Sequence, residues 1–599
     1  MRVANWPIPT ASDTELRQAL GSANIPTLLL VVAHLSGEDR WLREPYRPTR
    51  TIALNDNDTG GLPEQRQAEI RQAALELLRD IRDGRRAVPD PPDDHRIIEM
   101  LGVSLGEPVP AEYGPAMAED SGFRAPAWRG APPLHAGRPR VLVIGAGVSG
   151  ICLGIALRHL GLPLRIVERN GAVGGTWLAN DYPGAGVDTP SHLYSYSFAP
   201  RAEWTRYYPK QPEILEYLRD VARDAGLLSD IRFHTEVVST VWDEDTHSWR
   251  VRTRDRHGEH DEVADVVISC VGLFNQPVVP RLPGLAEFPG PAFHTAQWDH
   301  TVSLAGKRVG VIGTGASAMQ VVPAIADEAG EVVVFQRSPQ WVAPNANYLR
   351  TVHEHVRLLM AQVPGYRAWY RSRLMWMAQD KLHPTLQKDP DWPHPERSLN
   401  AVNDKHRVFF TRYLDEQLAG TNGLRDKVLP DYPPYGKRIL LDNDWFATIR
   451  RDDVHLVAHG VREIDGSAVC TDDGNRHEVD VLVLATGFSA RRMLHPLHIV
   501  GRTGVPLRQR WGDDDASAYL GVTVPDYPNL FLLYGPHTNS GHGGSHIFQA
   551  ESQTNYVVGL LRRMVEDGIS SVEVRADVCA EYNARLDSAH AKMVWTHPA

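Results

Sequence analysis

Two short glycine patterns carry the first chemical information in this 599-residue chain. The apolar run Val141-Leu-Val-Ile144 is followed by Gly145-Ala-Gly147-Val-Ser-Gly150, and the run Val309-Gly-Val-Ile312 by Gly313-Thr-Gly315-Ala-Ser-Ala318. In a strand-turn-helix unit the first glycine permits a tight turn, and the second lets the backbone approach a pyrophosphate. The third position keeps the helix close to the strand. Free N–H groups and the dipole at the helix start then hold phosphate. The residue ending the next strand differs in charge between the units. Glu168 stands eighteen residues after Gly150, where a carboxylate accepts hydrogen bonds from ribose hydroxyls and repels a 2′-phosphate, which fits FAD. Arg337, with Ser338 beside it, stands nineteen residues after Ala318, where a guanidinium suits the 2′-phosphate of NADPH. Either glycine pattern alone is a weak signal. Together, each with a matching ribose residue, they point to FAD and NADPH as two separate cofactors.

Between the two units lies Phe288-x-Gly290-x-x-x-His294-x-x-x-Trp298-Asp299. This segment resembles the signature of type I Baeyer–Villiger monooxygenases, flavoenzymes that insert oxygen beside a ketone. Gly174-Gly175-Thr176-Trp177, Asp181-Tyr-Pro-Gly184 and Asp188 are similar to the family's run along the flavin ring. Tyr435-Gly-Lys437-Arg438 resembles its Lys-Arg pair ahead of an apolar strand. The resemblance covers residues 138 to 599 and assigns roles. It makes Asp188 a buried acid beside the isoalloxazine, sends Lys437 to the NADPH phosphate and turns Arg438 to the flavin. In an extended segment those two neighbours point to opposite sides. His294 then belongs to the linker that couples NADPH binding to domain movement, with Phe288, Gly290, Trp298 and Asp299 around it. The implied reaction takes a ketone and O2 to an ester or lactone through a C4a-peroxyflavin. A permanently protonated Arg438 would stabilise that anion and its tetrahedral adduct, with Asp188 as its buried partner. Without the resemblance, Lys437-Arg438 reads as a solvated charge pair and Asp188 as a turn cap.

The run Gly535-Pro-His-Thr-Asn-Ser-Gly-His-Gly-Gly-Ser545 and a long N-terminal extension are similar to the 4-hydroxyacetophenone monooxygenase-like branch. The wider group includes bacterial enzymes of the pentalenolactone antibiotic pathway, which act on a tricyclic sesquiterpenoid ketone. Cyclic, polycyclic and terpenoid ketones are therefore the expected range. His537, His542 and His546 fall in or beside that glycine-rich run, which the resemblance puts near the flavin, so no metal is expected. One departure is the ending Met593-Val-Trp-Thr-His-Pro-Ala599. Many relatives continue there with a tail that helps cover the active site, which puts a lid from this end in question. Flavin N- or S-hydroxylating monooxygenases share both nucleotide folds and a similar FxGxxxH segment. They usually lack Trp298-Asp299 and the Asp188/Arg438 pair. A flavoprotein without activity is opposed by Gly175, Asp188, Lys437 and Arg438.

The elements that must position these residues read as α/β, with two Rossmann-like units. Residues 1–137 form a mostly helical extension, with a helix over Leu62 to Arg86 whose apolar Ile70, Ala73, Ala74, Leu77, Leu78 and Ile81 repeat at helical spacing. Nothing catalytic stands out in it, and docking or homodimer formation is its expected role. Residues 131–137 read as a linker. An FAD-binding domain over 138–290 is completed by 485–599, and an NADPH-binding domain over 291–484, with a helical insertion near 346–435, is set into it. Four widely spaced cysteines, Cys152, Cys270, Cys470 and Cys579, include no CxxC pair. That excludes zinc ribbons and the dithiol of glutathione-reductase-like flavoenzymes, and leaves packing residues. A net charge of −11 with interspersed signs offers no basic face for nucleic acid. The apolar run Leu28–Leu35 is far short of the roughly 20 residues of a membrane helix. No secretory signal is evident, so a cytoplasmic enzyme is expected.

Overall fold

The computed structural model describes residues 6–50, 57–134, 137–421, 423–512 and 515–597. Residues 135–136 of the expected linker and 598–599 of the C-terminal segment lie outside them. The first glycine turn sits on a parallel sheet ordered Leu530–Leu532, Val266–Ser269, Val141–Ile144, Leu164–Val167, Ile231–Arg232. Val141 pairs with Leu164 on one side and Val266 on the other. Every residue of Val141–Ile144 is buried, as an apolar run in a sheet covered on both faces must be. Helix Val148–His159 follows the turn.

The second turn sits on a second parallel sheet ordered Val454–Val457, Glu331–Phe335, Arg308–Ile312, Val481–Leu484, Ala292–His294. Helix Ala316–Ile325 follows it. The chain thus leaves the first sheet after Ser269, builds the second between Ala292 and Leu484, and rejoins the first at Leu530. A separate sheet of four strands includes Glu236–Asp243 and Ser248–Asp255, the latter alternating buried and exposed as a strand with one covered face does.

The N-terminal extension forms helices Asp13–Gly21, Ile25–Ser36, Glu64–Arg82, Asp94–Leu105 and Gly114–Asp120. Their ends follow local rules. Ser12 and Glu15 make a capping box, Asn24 and Asp93 cap the next starts, and Gly37 and Gly106 terminate helices in the left-handed region. The helix expected over Leu62 to Arg86 is shorter at both ends, because Pro63 occupies its N-cap and Arg85 and Arg86 turn their N–H groups back to the Asp80 carbonyl. The extension shares one core with Leu359, Tyr366, Trp369 and Met375 of insertion helices Glu354–Gln362 and Tyr366–Ala378, so its apolar face is covered within the chain. No helix among the described residues is long and apolar enough to cross a membrane.

Candidate active site

A cavity of about 890 Å³ runs between the two glycine turns and is lined by Gly145, Gly147, Glu168, Asp188, Gly315, Lys437 and Arg438. Gly145 has φ +100°, and a Cβ there would lie 2.8 Å from the Cys270 carbonyl oxygen. Gly313 has φ +113°, with the Ala485 carbonyl oxygen 2.5 Å from such a Cβ. Both turns therefore press against the end of a neighbouring strand and require glycine. Gly150 lies under the first turn, while its counterpart Ala318 is fully buried and carries its methyl group. Helices Val148–His159 and Ala316–Ile325 begin at Gly147 and Gly315 without any side-chain cap, which leaves their first N–H groups free for phosphate.

Glu168 is held in place from below. One carboxylate oxygen accepts from the Ala146 N–H at 2.8 Å and the other from the N–H and Nδ2 of Asn170, each at 2.8 Å. A Cβ on Gly175 would stand 2.8 Å from Gly147 Cα, so the Gly174-Gly175-Thr176-Trp177 run crosses directly over the first helix start. Gly175, Thr176 and Trp177 line the cavity, and Trp177 donates to the Tyr194 hydroxyl at 2.9 Å.

Arg438 and Asp188 form a forked ion pair: Nε donates to one carboxylate oxygen at 2.6 Å and Nη2 to the other at 2.9 Å. Nη1 donates to the Ser540 carbonyl at 3.0 Å. The pairing holds the Asp188 carboxyl below its ordinary range against the opposing effect of burial, and raises Arg438 further, so both are charged at neutral pH. Lys437 turns the other way, donating to Ser338 Oγ at 2.7 Å with its ammonium 4.7 Å from the Tyr432 ring. Burial, then the charge of Arg337, lower its pKa. Arg337 itself is exposed at the end of strand Glu331–Phe335. The two side chains diverge at a bend that precedes the strand beginning at Leu440.

Residues 138–351 match the model of the flavin-binding monooxygenase-like family. An uncharacterised monooxygenase of Sinorhizobium fredii is 45% identical over 97% of this chain and 88% of its own length. A Baeyer–Villiger monooxygenase of Streptomyces coelicolor is 36% identical over 76% of this chain and 84% of its own. The chain belongs to the flavin-binding monooxygenase-like family. Among solved structures, a steroid monooxygenase bound to NADP superimposes with a TM-score of 0.67 at 29% identity, covering 77% of this monooxygenase and 92% of that chain.

The signature residues of this monooxygenase stand outside the cavity lining. Phe288 packs with Val333, Phe335 and Leu482, and Gly290 passes so close to the Asp480 carbonyl that a Cβ would lie 2.2 Å from it. His294 ends the edge strand of the second sheet. Its Nδ1 accepts from the Ala296 N–H at 3.0 Å, so Nε2 carries the proton donated to the Gly487 carbonyl at 3.1 Å. Burial lowers its pKa and keeps it neutral. Trp298 stacks edge-on with Phe293, and Asp299 caps Thr301. His546 lines the cavity beside the glycine-rich run, as does Tyr534 just ahead of it, and Trp595 of the C-terminal segment joins them, while Tyr194 and Tyr348 reach the lining from stretches the sequence did not single out. Burial pushes the Tyr534 hydroxyl up to about 12, so it stays protonated beside Arg438. Trp595 meets the 541 position, where only a glycine leaves room for its indole, and so the C-terminal segment does cover part of the cavity.

Proposed function

We propose that this monooxygenase carries out Baeyer–Villiger oxidation, converting a cyclic or polycyclic ketone, terpenoids included, to a lactone or ester with NADPH and O2. The observation that carries this reading is the forked Arg438–Asp188 pair on the wall of a cavity that two uncapped helix starts also face. The cofactors are FAD and NADPH, and the residues present fit both. Gly145, Gly147, Gly150 and the start of helix Val148–His159 suit the FAD pyrophosphate, with Glu168 at its ribose and Gly175, Thr176 and Trp177 along its ring. Gly313, Gly315 and Ala318 suit the NADPH pyrophosphate, with Arg337, Ser338 and Lys437 at the 2′-phosphate. Bound FAD supplies hydride acceptance from NADPH and the activation of O2.

The protein supplies charge. Arg438 keeps a cation where negative charge develops on oxygen, and Asp188 fixes the plane of its guanidinium. His294 acts at the junction of the units, tying strand Ala292–His294 to Gly487, while Phe288, Gly290, Trp298 and Asp299 shape that junction. A homodimer through the extension would use its outer faces, since the inner ones are covered. Arg438→Ala tests the assignment: FAD stays bound, NADPH still reduces it, and NADPH consumption yields hydrogen peroxide in place of ester. A variant that forms ester at the wild-type rate removes Arg438 from the reaction.

A further inference from the structure

The N-terminal extension showed no chemistry in the sequence, yet its last helix ends in a buried carboxylate. Asp120 closes helix Gly114–Asp120, and its side chain is 1% exposed. It receives a fork from Arg371 of helix Tyr366–Ala378, with Nε at 3.0 Å and Nη2 at 2.8 Å. The remaining nitrogen of Arg371, Nη1, donates to the His192 carbonyl at 3.0 Å and to Ser195 Oγ at 3.1 Å.

Both acceptors belong to the segment 188–197, whose other side is the cavity wall. Asp188 holds Arg438, Thr189 bonds the Gly544 carbonyl at 3.1 Å, Tyr194 faces the cavity, and the Tyr196 hydroxyl donates to the Val148 carbonyl at 2.7 Å, in the first turn of the FAD helix. Ser197 ends the segment on Glu551. Burial, then the charge of Asp120, push the Glu551 carboxyl up to about 8. Asp120 is the carboxylate in direct contact with Arg371, and Glu551 meets the segment through Ser197. The extension adds contacts beside this one: Ser372 Oγ donates to Ser121 Oγ at 2.7 Å, and Asn555 bonds Glu119.

We infer that Asp120 is a positioning residue for oxygenation: through Arg371 it holds the 188–197 segment, and with it Asp188 and Tyr194, against the cofactor cavity. This rests on the role proposed for the Asp188–Arg438 pair. It gives the extension a task inside the enzyme, that of a buried clamp behind the wall that carries Asp188. Its physical basis is that a buried guanidinium without its carboxylate is strongly unfavourable, so the chain relaxes around it. Small displacements of a reacting constellation then cost large factors in rate.

Two full-length variants test the inference. In Asp120→Asn the share of NADPH turnover ending as hydrogen peroxide should rise about tenfold, and the circular dichroism of bound FAD should change, while flavin reduction stays within about twofold of wild type. The melting temperature should fall as well. The double variant Asp120→Asn/Arg371→Gln leaves no lone buried charge, so it should recover melting temperature, yet it lacks the fork to His192 and Ser195 and should remain uncoupled. A merely structural clamp predicts the reverse, with coupling restored along with stability. That result, or a folded Asp120→Asn with wild-type coupling and flavin dichroism, overturns the inference. If Asp120→Asn does not fold, the double variant alone decides on the same criteria. If the wild type makes no oxygenated product, the proposed function fails, and the dichroism of bound FAD still decides whether the clamp exists.

Discussion

Removing Asp188 isolates what its pairing does for Arg438. In Asp188→Ala the guanidinium loses contacts of 2.6 and 2.9 Å and keeps only the 3.0 Å bond to the Ser540 carbonyl among those described. Breaking a buried pair costs about 3–5 kcal/mol. Here 30% of the Asp188 side chain and 36% of Arg438 stay open to the cavity, so water screens part of the loss. A value of about 2–3 kcal/mol is the reasonable figure, or roughly 30- to 150-fold in coupled oxygenation. Asp188→Asn keeps one acceptor without the charge and should fall between wild type and Asp188→Ala. The assay is stopped-flow flavin reduction beside the ratio of ester to hydrogen peroxide. Reduction should change little while the ratio collapses in the order Asp, Asn, Ala. Equal losses in both readouts would place Asp188 in cofactor binding alone and refute the reasoning.

Arg337→Ala should weaken NADPH binding about tenfold and leave NADH nearly unaffected, since one exposed charge-assisted contact to the 2′-phosphate is lost. Equal losses for both nucleotides, read by titration, would remove Arg337 from that site. Acid stability follows from two buried imidazoles. Burial lowers His192 to about 3 and His546 to about 4, from 6.5, so between pH 6.5 and 4 the unfolded chain binds protons that the folded chain refuses. Each histidine then costs at most about 1.36 kcal/mol per pH unit in acid, while Glu551, raised to about 8, returns up to the same amount down to pH 4.5. The net of the three is a fall in stability of at most about 1.36 kcal/mol per pH unit. A melting temperature flat from pH 7 to 5 would contradict that.

The glycine turns were legible because strand, turn and helix are consecutive in the chain, and a left-handed Gly145 or Gly313 leaves its mark within a few residues. The Glu168 and Arg337 contrast was legible for the same reason. Lys437 and Arg438 needed a family likeness to be noticed, and their divergence comes from a bend ahead of the strand. Tyr534 and His546 flank the glycine-rich run and share its signal, whereas Tyr194 and Tyr348 carry no local pattern and long-range packing brings them to the cavity. Asp120 and Arg371 lie 251 residues apart, on helices whose apolar periodicity announces only that they are buried. No spacing rule could join them. The signature around His294 was plain as a string, while its physical task, tying the edge strand of the second sheet to Gly487, required the fold.

The most direct test of oxygen insertion is to supply the FAD-loaded enzyme with NADPH, isotopically labelled O2 and a panel of monocyclic, aromatic and polycyclic ketones, and to follow the products by mass. The account predicts a lactone or ester from at least one ketone, with a single labelled oxygen inserted beside the former carbonyl. Hydrogen peroxide alone, or no ester from any ketone while amines and sulfides added beside the panel give labelled N- or S-oxides, would contradict it.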